Sequence, residues 1–144
     1  MGAGPSLNLV SLIVADMEAT VAFYRTLGIT VADTDPAWAH LHRTATMPGE
    51  MHLDFDSVDF VSTWDKGWTG PGAGSAFIGF AVATRPEVDE IYGRMVSAGY
   101  PSQQDPFDAF WGARYAVVTD PDGNPVGIMS PSDPAFQSAP PTPS

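Results

Sequence analysis

The chain has 144 residues, 44% of them hydrophobic, and no cysteine, which suits one globular domain with a packed core and excludes disulfide bonds and thiolate metal sites. Seventeen acidic residues against six basic ones give a formal net charge of −11, which disfavours nucleic acid as a partner and favours cationic small molecules. No apolar run approaches the roughly 18 residues of a membrane span, so we expect a cytoplasmic protein without membrane contact.

The chain begins with a strand and a helix whose pattern returns in its second half. The first copy is LVSLIVADMEATVAFYRTLGI, residues 9–29, and the second is FIGFAVATRPEVDEIYGRMVSAGY, residues 77–100. In each copy apolar residues alternate, as in a strand, and then recur at helical spacing after a polar turn. Asp16 and Thr84 occupy equivalent places in that turn, and Gly28 is placed to end the first helix. The chain therefore contains an internal repeat of a strand followed by a helix.

Shorter strand-like segments follow each helix. They are GITVAD, WAHLHR and MHLDFD in the first copy, and an ill-defined stretch from Gly99 to Gln104, RYAVVT and PVGIMS in the second. The predicted fold class is therefore α+β, with two tandem βαβββ modules. The predicted boundaries are a first module at 1–63, a glycine-rich linker at 64–75, a second module at 76–131 and a Pro/Ser-rich, disordered tail at 132–144.

The last hairpin carries a glycine that its strand does not need. In DPDGNPVGIMS, residues 120–130, Pro121 and Gly123 supply the turn. Gly127 then interrupts the following strand, where glycine often marks the close approach of another group. The sequence leaves open what Gly127 makes room for, or which side chain it replaces.

The order of these motifs resembles that of the vicinal oxygen chelate superfamily. VADMEATVAFYRTLGI in the first module and RYAVVTDPDGNPVGI in the second carry the resemblance, which covers roughly residues 7–131. The superfamily includes glyoxalase I, extradiol dioxygenases, fosfomycin-resistance enzymes and bleomycin-resistance proteins. The resemblance implies that each module curls its sheet around half of a concave cleft and that two chains pair as a homodimer.

By this resemblance, four positions in the cleft hold a metal ion in the family's enzymes. Three of them are Leu9, Phe77 and Gly127 here, whose side chains offer no oxygen or nitrogen to a cation. The fourth falls near His52 or Asp54. We therefore expect neither a metal nor another cofactor in the cleft.

A cleft without a metal is expected to be an apolar slot. If Leu9 faces the cleft, period-2 alternation turns Ser11 and Ile13 to the same side. The same reasoning adds cleft residues from the second module, namely Phe77, Gly79, Ala81, Gly127 and Met129. Small residues beside Phe77 and Met129 are typical of a binding slot, and tight packing of the sheet is the alternative explanation for them.

Aromatic residues close to loops are expected to form the walls of this slot, because Trp is costly to leave in water. The candidates are Trp38 at the start of a strand, Trp64 and Trp68 beside the linker, and Phe107, Phe110 and Trp111 in the loop before the hairpin.

A polar edge of the slot is predicted from three histidines and an aspartate. His40 and His42 share a face of WAHLHR with Trp38, and His52 and Asp54 share a face of MHLDFD. If the apolar faces form the core, these four polar side chains point to the cleft as hydrogen-bonding groups. A displaced metal cluster of the same four residues is the alternative.

The sequence thus favours a non-enzymatic protein of the bleomycin-resistance type, which sequesters a hydrophobic or aromatic natural product such as an antibiotic. The acidic surface suits a cationic ligand of that kind. Two alternatives stay open. One is a metal-dependent lyase, isomerase or dioxygenase that uses the histidine and aspartate cluster. The other is a metal-free enzyme that uses a cleft histidine as a base.

Overall fold

The first half of the chain builds a three-stranded sheet. The computed structural model describes residues 4, 7–49, 51–65, 69–70 and 76–140. Its elements in this half are β1 (Leu9–Val14), α1 (Met17–Leu27), β2 (His42–Ala45), β3 (His52–Ser57) and α2 (Val58–Trp64). The strand order is β1-β3-β2, with β1 parallel and β2 antiparallel to β3. The first and last strands of the predicted module are therefore hydrogen-bonded neighbours.

Local signals set the ends of α1. The Asp16 carboxylate accepts a hydrogen bond from the Ala19 amide, 3.1 Å away, and so caps the first turn. Gly28 ends the helix in the left-handed conformation, with φ of 113°. Tyr24 is fully buried and its ring stacks on that of Phe55, with centroids 5.0 Å apart. This contact identifies the face of the sheet that α1 covers, which carries the odd-numbered residues of β3.

Between α1 and β3, turns replace most of the strand that the alternation of apolar and polar residues predicted. The expected strand at GITVAD is reduced to one bridge, between Val31 and Ala45. Residues 36–41 are turns, because the Asp35 carboxylate and carbonyl both accept backbone amides just after it. The strand predicted at WAHLHR therefore begins only at His42.

Helix α2 was not predicted. Ser57 caps it by accepting from the Phe60 amide at 3.1 Å. Its seven residues end at Trp64, where the linker was expected to start. Most of that linker lies outside the described residues.

The second half of the chain follows the βαβββ prediction. Its elements are β4 (Ile78–Ala81), α3 (Arg85–Ser97), β5 (Ser102–Asp108), β6 (Arg114–Thr119) and β7 (Pro125–Met129). The strand order is β4-β7-β6-β5, with β4 parallel to β7 and the other pairs antiparallel. Thr84, the counterpart of Asp16, caps α3 by accepting from the Glu87 amide. Strand β5 extends beyond the ill-defined stretch of the prediction and includes Phe107, which was expected in a loop.

An ion pair shows which face of this second sheet α3 covers. Arg114 of β6 donates from Nε and Nη2 to the two carboxylate oxygens of Asp89 on α3, at 3.1 and 2.8 Å. This hydrogen-bonded Arg114 guanidinium holds the pKa of Asp89 below its ordinary value of 3.8. Arg114 therefore faces α3. Ala116 and Val118, two and four residues further along β6, face the same side, and these two residues are fully buried.

The segment after β7 packs against the start of α3 and the loop between β5 and β6. A short 3-10 turn spans Pro134–Phe136, and the Phe136 ring lies over the Arg85 guanidinium, 3.7 Å from the guanidinium carbon to the ring centroid. A Cβ on Gly112, whose φ is 97°, would lie 2.5 Å from the Asp133 carbonyl oxygen. Within the tail that was predicted to be disordered, 132–144, residues 133–138 therefore contact Arg85 and the segment 110–112, partners that composition does not reveal. Residues 141–144 lie outside the described part of the chain.

The chain divides into two compact units, Met1–Ala73 and Gly74–Ser144, called here the first and second unit. Together they form a mixed α+β protein, as predicted. No helix in the described ranges is long and apolar enough to cross a bilayer.

Candidate functional site

The second unit presents an apolar sheet surface on the side opposite α3. Strand register places its residues in two rows across the four strands. One row runs Ala81, Met129, Tyr115, Phe107, and the next runs Gly79, Gly127, Val117, Gln104. We call these residues, with Phe77 just before β4, the apolar face. It contains the second-module residues that alternation assigned to the slot, which are Phe77, Gly79, Ala81, Gly127 and Met129.

The space beside Gly127 is occupied by the ring of Tyr115. A Cβ built on Gly127 would lie 2.9 Å from the Tyr115 hydroxyl oxygen and 3.0 Å from Cε1 of its ring. The phenol therefore lies across the glycine from the neighbouring strand, a diagonal contact that only glycine permits at this distance. Gly127 therefore makes room for the ring of Tyr115, which fills the space that a side chain at this position would take. Alternation in RYAVVT, which turns Tyr115 to the same face, was the available signal.

Tyr115 lies at the centre of an aromatic cluster. Its ring meets Phe107 and Trp111 edge-on, with centroids 6.1 and 5.7 Å away. Trp111 in turn meets Phe110 edge-on at 5.2 Å, and its backbone forms a bridge with Gln137 of the docked tail. Three of the six predicted aromatic wall residues, Phe107, Phe110 and Trp111, are thus brought together. Tyr115, which joins them, was missed.

Trp38 and Trp64 belong to the first unit. Trp38 lies in the turn region before β2 rather than on a strand, and Trp64 is the last residue of α2. Both side chains are more than half exposed. Trp68 lies outside the described residues.

The DPDGN turn sets the register that builds the apolar face. One carboxylate oxygen of Asp120 accepts from the Asp122 and Asn124 amides at 2.9 and 2.8 Å. Its other oxygen accepts from the Asn124 side chain at 2.9 Å. This buried Asx turn closes the β6–β7 hairpin so that Gly127 lies opposite Val117. The motif is therefore structural, and its part in the site is to position Gly127.

The first unit carries a polar surface on the side of its sheet opposite α1. Strand register places side chains from all three strands on this side, and we call them the polar face: Leu9, Ser11 and Ile13 of β1, His42 and Thr44 of β2, and His52, Asp54 and Asp56 of β3. Leu9, Ser11, His42, His52 and Asp54 thus share one face, as alternation predicted. Leu9 is 47% exposed.

Asp56 is the centre of the polar face, and it was missed. Asp56 as a whole is 4% exposed, and its two carboxylate oxygens have different hydrogen-bond partners. One accepts from the Ser11 hydroxyl, and the other lies 2.5 Å from Nδ1 of His42. The far nitrogen of His42, Nε2, lies 3.2 Å from the Thr44 hydroxyl. The alternation His52, Asp54, Asp56 in the sequence could have found it.

His40 does not belong to the polar face. It lies in the turn before β2 and lines an open cleft of about 450 Å³ with residues around Asp16 and Asp59. Among the described residues, no group of three or more His, Asp and Glu side chains is arranged to hold a metal ion. The proposed cluster of His40, His42, His52 and Asp54 is therefore not brought together.

The positions that hold a metal in the family's enzymes do not fit one here. Leu9 and Phe77 end in carbon, and Gly127 is covered by a tyrosine ring. None of these three residues offers a side-chain oxygen or nitrogen to a cation.

Comparisons with known proteins agree with this architecture. A family model described as "Glyoxalase/Bleomycin resistance protein/Dioxygenase superfamily" matches residues 6–128. Among curated proteins, none matches the chain significantly.

Solved structures share the fold at low sequence identity. A glyoxalase-related enzyme from Fulvimarina pelagi has a TM-score of 0.74 and 23% identity, with 88% of each chain covered. A lactoylglutathione lyase from Agrobacterium tumefaciens has a TM-score of 0.67 and 21% identity, covering 90% of this chain and 96% of its own. A hypothetical protein from S. aureus has a TM-score of 0.70 and 21% identity, with the same two coverages.

Proposed function

Because the chain belongs to the glyoxalase/bleomycin resistance protein/dioxygenase superfamily, we propose that it binds a planar, apolar small molecule on the apolar face of the second unit. The ligand class is an aromatic natural product such as an antibiotic, held and sequestered at that face without being transformed there. Two such chains form a homodimer in this proposal.

One observation carries the proposal, which is that large apolar side chains remain in solvent on this face. Phe77 is 59% exposed, Met129 38% and Phe107 36%. Scattered exposed hydrophobic residues need no explanation, but several on one sheet face mark a binding surface.

The shape of the face suits a flat ligand. A Cβ built on Gly79 would meet nothing within 4 Å, so this part of the face is open. Beside it, across β7, stand the rings of Tyr115 and Trp111. An open floor next to aromatic edges accommodates a planar ring system. The formal net charge of −11 and the aromatic rings both favour a ligand whose ring system is cationic.

The test is calorimetric titration with two probes, metal-free bleomycin and the planar cationic dye acridine orange. Gly79→Phe fills the open floor without displacing a neighbour, and it should abolish binding while the melting temperature is kept. Gly93→Phe is the matched control, because Gly93 lies on α3, also with nothing within 4 Å of a built Cβ. Equal binding by both variants would place the ligand elsewhere, and no binding of either probe by the wild type would overturn the proposal for this ligand class.

The metalloenzyme alternative makes a different prediction. It requires a stoichiometric transition metal in the purified protein, lost with activity on treatment with EDTA. The apolar side chains at Leu9 and Phe77, with glycine at Gly127, favour the binding proposal over it. Metal analysis of the protein, purified without added metal, decides between the two.

A further inference from the structure

We propose that His42 and Asp56 form a proton-transfer site on the polar face of the first unit. His42 Nε2 is the general base, and its substrate class is a small carbon acid, a molecule with a C–H bond made acidic by a neighbouring π system. The inference does not rest on the binding proposed for the second unit, and it concerns different residues.

The hydrogen bonds of Asp56 assign the tautomer of His42. A carboxylate accepts hydrogen bonds and does not donate them. The Asp56 oxygen 2.5 Å from Nδ1 therefore places the hydrogen of a neutral imidazole on Nδ1. Nε2 is then left with its lone pair, 3.2 Å from the Thr44 hydroxyl oxygen. His42 thus presents a proton acceptor on the side away from Asp56.

Burial differs sharply between the two ends of this pair. The Asp56 side chain is 6% exposed, whereas that of His42 is 38% exposed. The Ser11 hydroxyl, which donates to the second Asp56 oxygen, holds the carboxylate in place. The ring of Phe60, with its centroid 5.8 Å from that of His42, packs beside the imidazole. A buried carboxylate that orients an accessible imidazole through Nδ1 is the arrangement in which histidine acts as a general base.

Other titratable groups share the polar face with His42. Asp54 lies on the same face, in register with Thr44. One of its carboxylate oxygens is buried, without a hydrogen-bond partner among the described residues. His52, at the other end of β3, is exposed. The polar face therefore places two aspartate side chains, Asp54 and Asp56, on the same side of the sheet as His42.

The probe reaction is the ring opening of 5-nitrobenzisoxazole. Nε2 takes the proton of the C–H bond in the five-membered ring, and the electron pair of that bond forms the nitrile. The N–O bond breaks, and its oxygen leaves as the phenolate. The proton on Nε2 then passes to water, so the step needs no oxidant or other co-reactant.

The experiment compares initial rates for variants of the full chain, each checked for an unchanged melting temperature. His42→Gln should lower the protein-catalysed rate by about 10²-fold or more, which is the usual size of a general-base contribution. Glu90→Gln, which removes an exposed carboxylate on α3, should leave the rate unchanged. A wild-type rate no higher than that of the buffer overturns the proposal, and so does an equal loss in His52→Gln.

Asp56 is a positioning residue in this proposal, and its test needs a readout other than rate. Nitrogen NMR of the imidazole should show the Nδ1–H tautomer of His42 in the wild type. In Asp56→Asn that tautomer should be lost, with a fall in rate of about tenfold or more. A wild-type His42 that carries its hydrogen on Nε2 contradicts the assignment. If Asp56→Asn does not fold, the wild-type tautomer and the rate of His42→Gln decide the question.

Discussion

The contact between Tyr115 and Gly127 predicts that a single methyl group at residue 127 destabilises the protein. In Gly127→Ala the new Cβ would lie 2.9 Å from the phenol oxygen and 3.0 Å from Cε1, whereas ordinary contacts begin at 3.4 Å. The ring must therefore move away by several tenths of an ångström. It is held between Phe107 and Trp111, so its edge-on contacts with them weaken.

The expected loss of stability in Gly127→Ala is the difference between two opposing free-energy changes. Overpacking of this kind costs about 1–3 kcal/mol, and the loss of chain freedom in the unfolded state returns about 0.4–1 kcal/mol. We expect a net destabilisation of about 1–2 kcal/mol. Urea denaturation followed by tryptophan fluorescence should show a lower midpoint with an unchanged slope.

Gly79→Ala is the matched control, because Gly79 pairs with Gly127 across β4 and β7 and its built Cβ meets nothing within 4 Å. It should be neutral or stabilising by up to about 1 kcal/mol. In a Tyr115→Leu background, Gly127→Ala should cost nothing, since the ring is gone. Equal stability of Gly127→Ala and Gly79→Ala in the wild-type background would refute the packing of Tyr115 over the glycine.

Four further predictions follow from features described above. Trp111→Ala should weaken binding of the bleomycin or dye probe by about 1–3 kcal/mol in calorimetry, and unchanged affinity would remove Trp111 from the site. Phe136→Ala should lower the free energy of unfolding by about 0.5–1 kcal/mol, because the contact with Arg85 is lost. Thermal denaturation measures this change, and a melting temperature equal to that of the wild type would contradict it. Asp89→Asn should be less stable than wild type at neutral pH. The difference should vanish in acid, because a carboxyl with a lowered folded-state pKa stabilises above its ordinary value of 3.8 and loses that effect as pH falls through the lowered value. Sedimentation at micromolar concentration should show a dimer, since β1 and β4 each form an edge of their sheets, and a monomer there would contradict it.

Most of the fold could be predicted from local signals in the sequence. The repeated strand and helix, the equivalent caps Asp16 and Thr84, and the Asx turn at Asp120 all depend on neighbours within a few residues. The errors on either side of β3 are also local. Asp35 starts a turn where alternation had suggested a strand, and Ser57 caps a helix that was not predicted.

The candidate sites were harder to predict because they depend on the register in which neighbouring strands pair. Alternation assigns Gly127 and Tyr115 to the same face, but only the pairing of β6 with β7 brings the ring over the glycine. Likewise, His42 meets Asp56 only because β2 pairs with β3 in one particular register. A shift of one residue would separate both pairs. The DPDGN turn fixes the register of β6 with β7, but no local pattern specifies the register of β2 with β3.

The sheet order of the two units has a consequence for synthesis on the ribosome. In the first unit β1 finds its parallel partner once β3 has been made, at Ser57. In the second unit β4 must wait for β7, the last strand, which ends at Met129. Folding that follows translation therefore leaves β4 and the exposed Phe77 before it without their sheet until β7 has emerged. Slow synthesis between Ala81 and Pro125 would prolong this interval, in which the nascent chain is most open to chaperones and to aggregation.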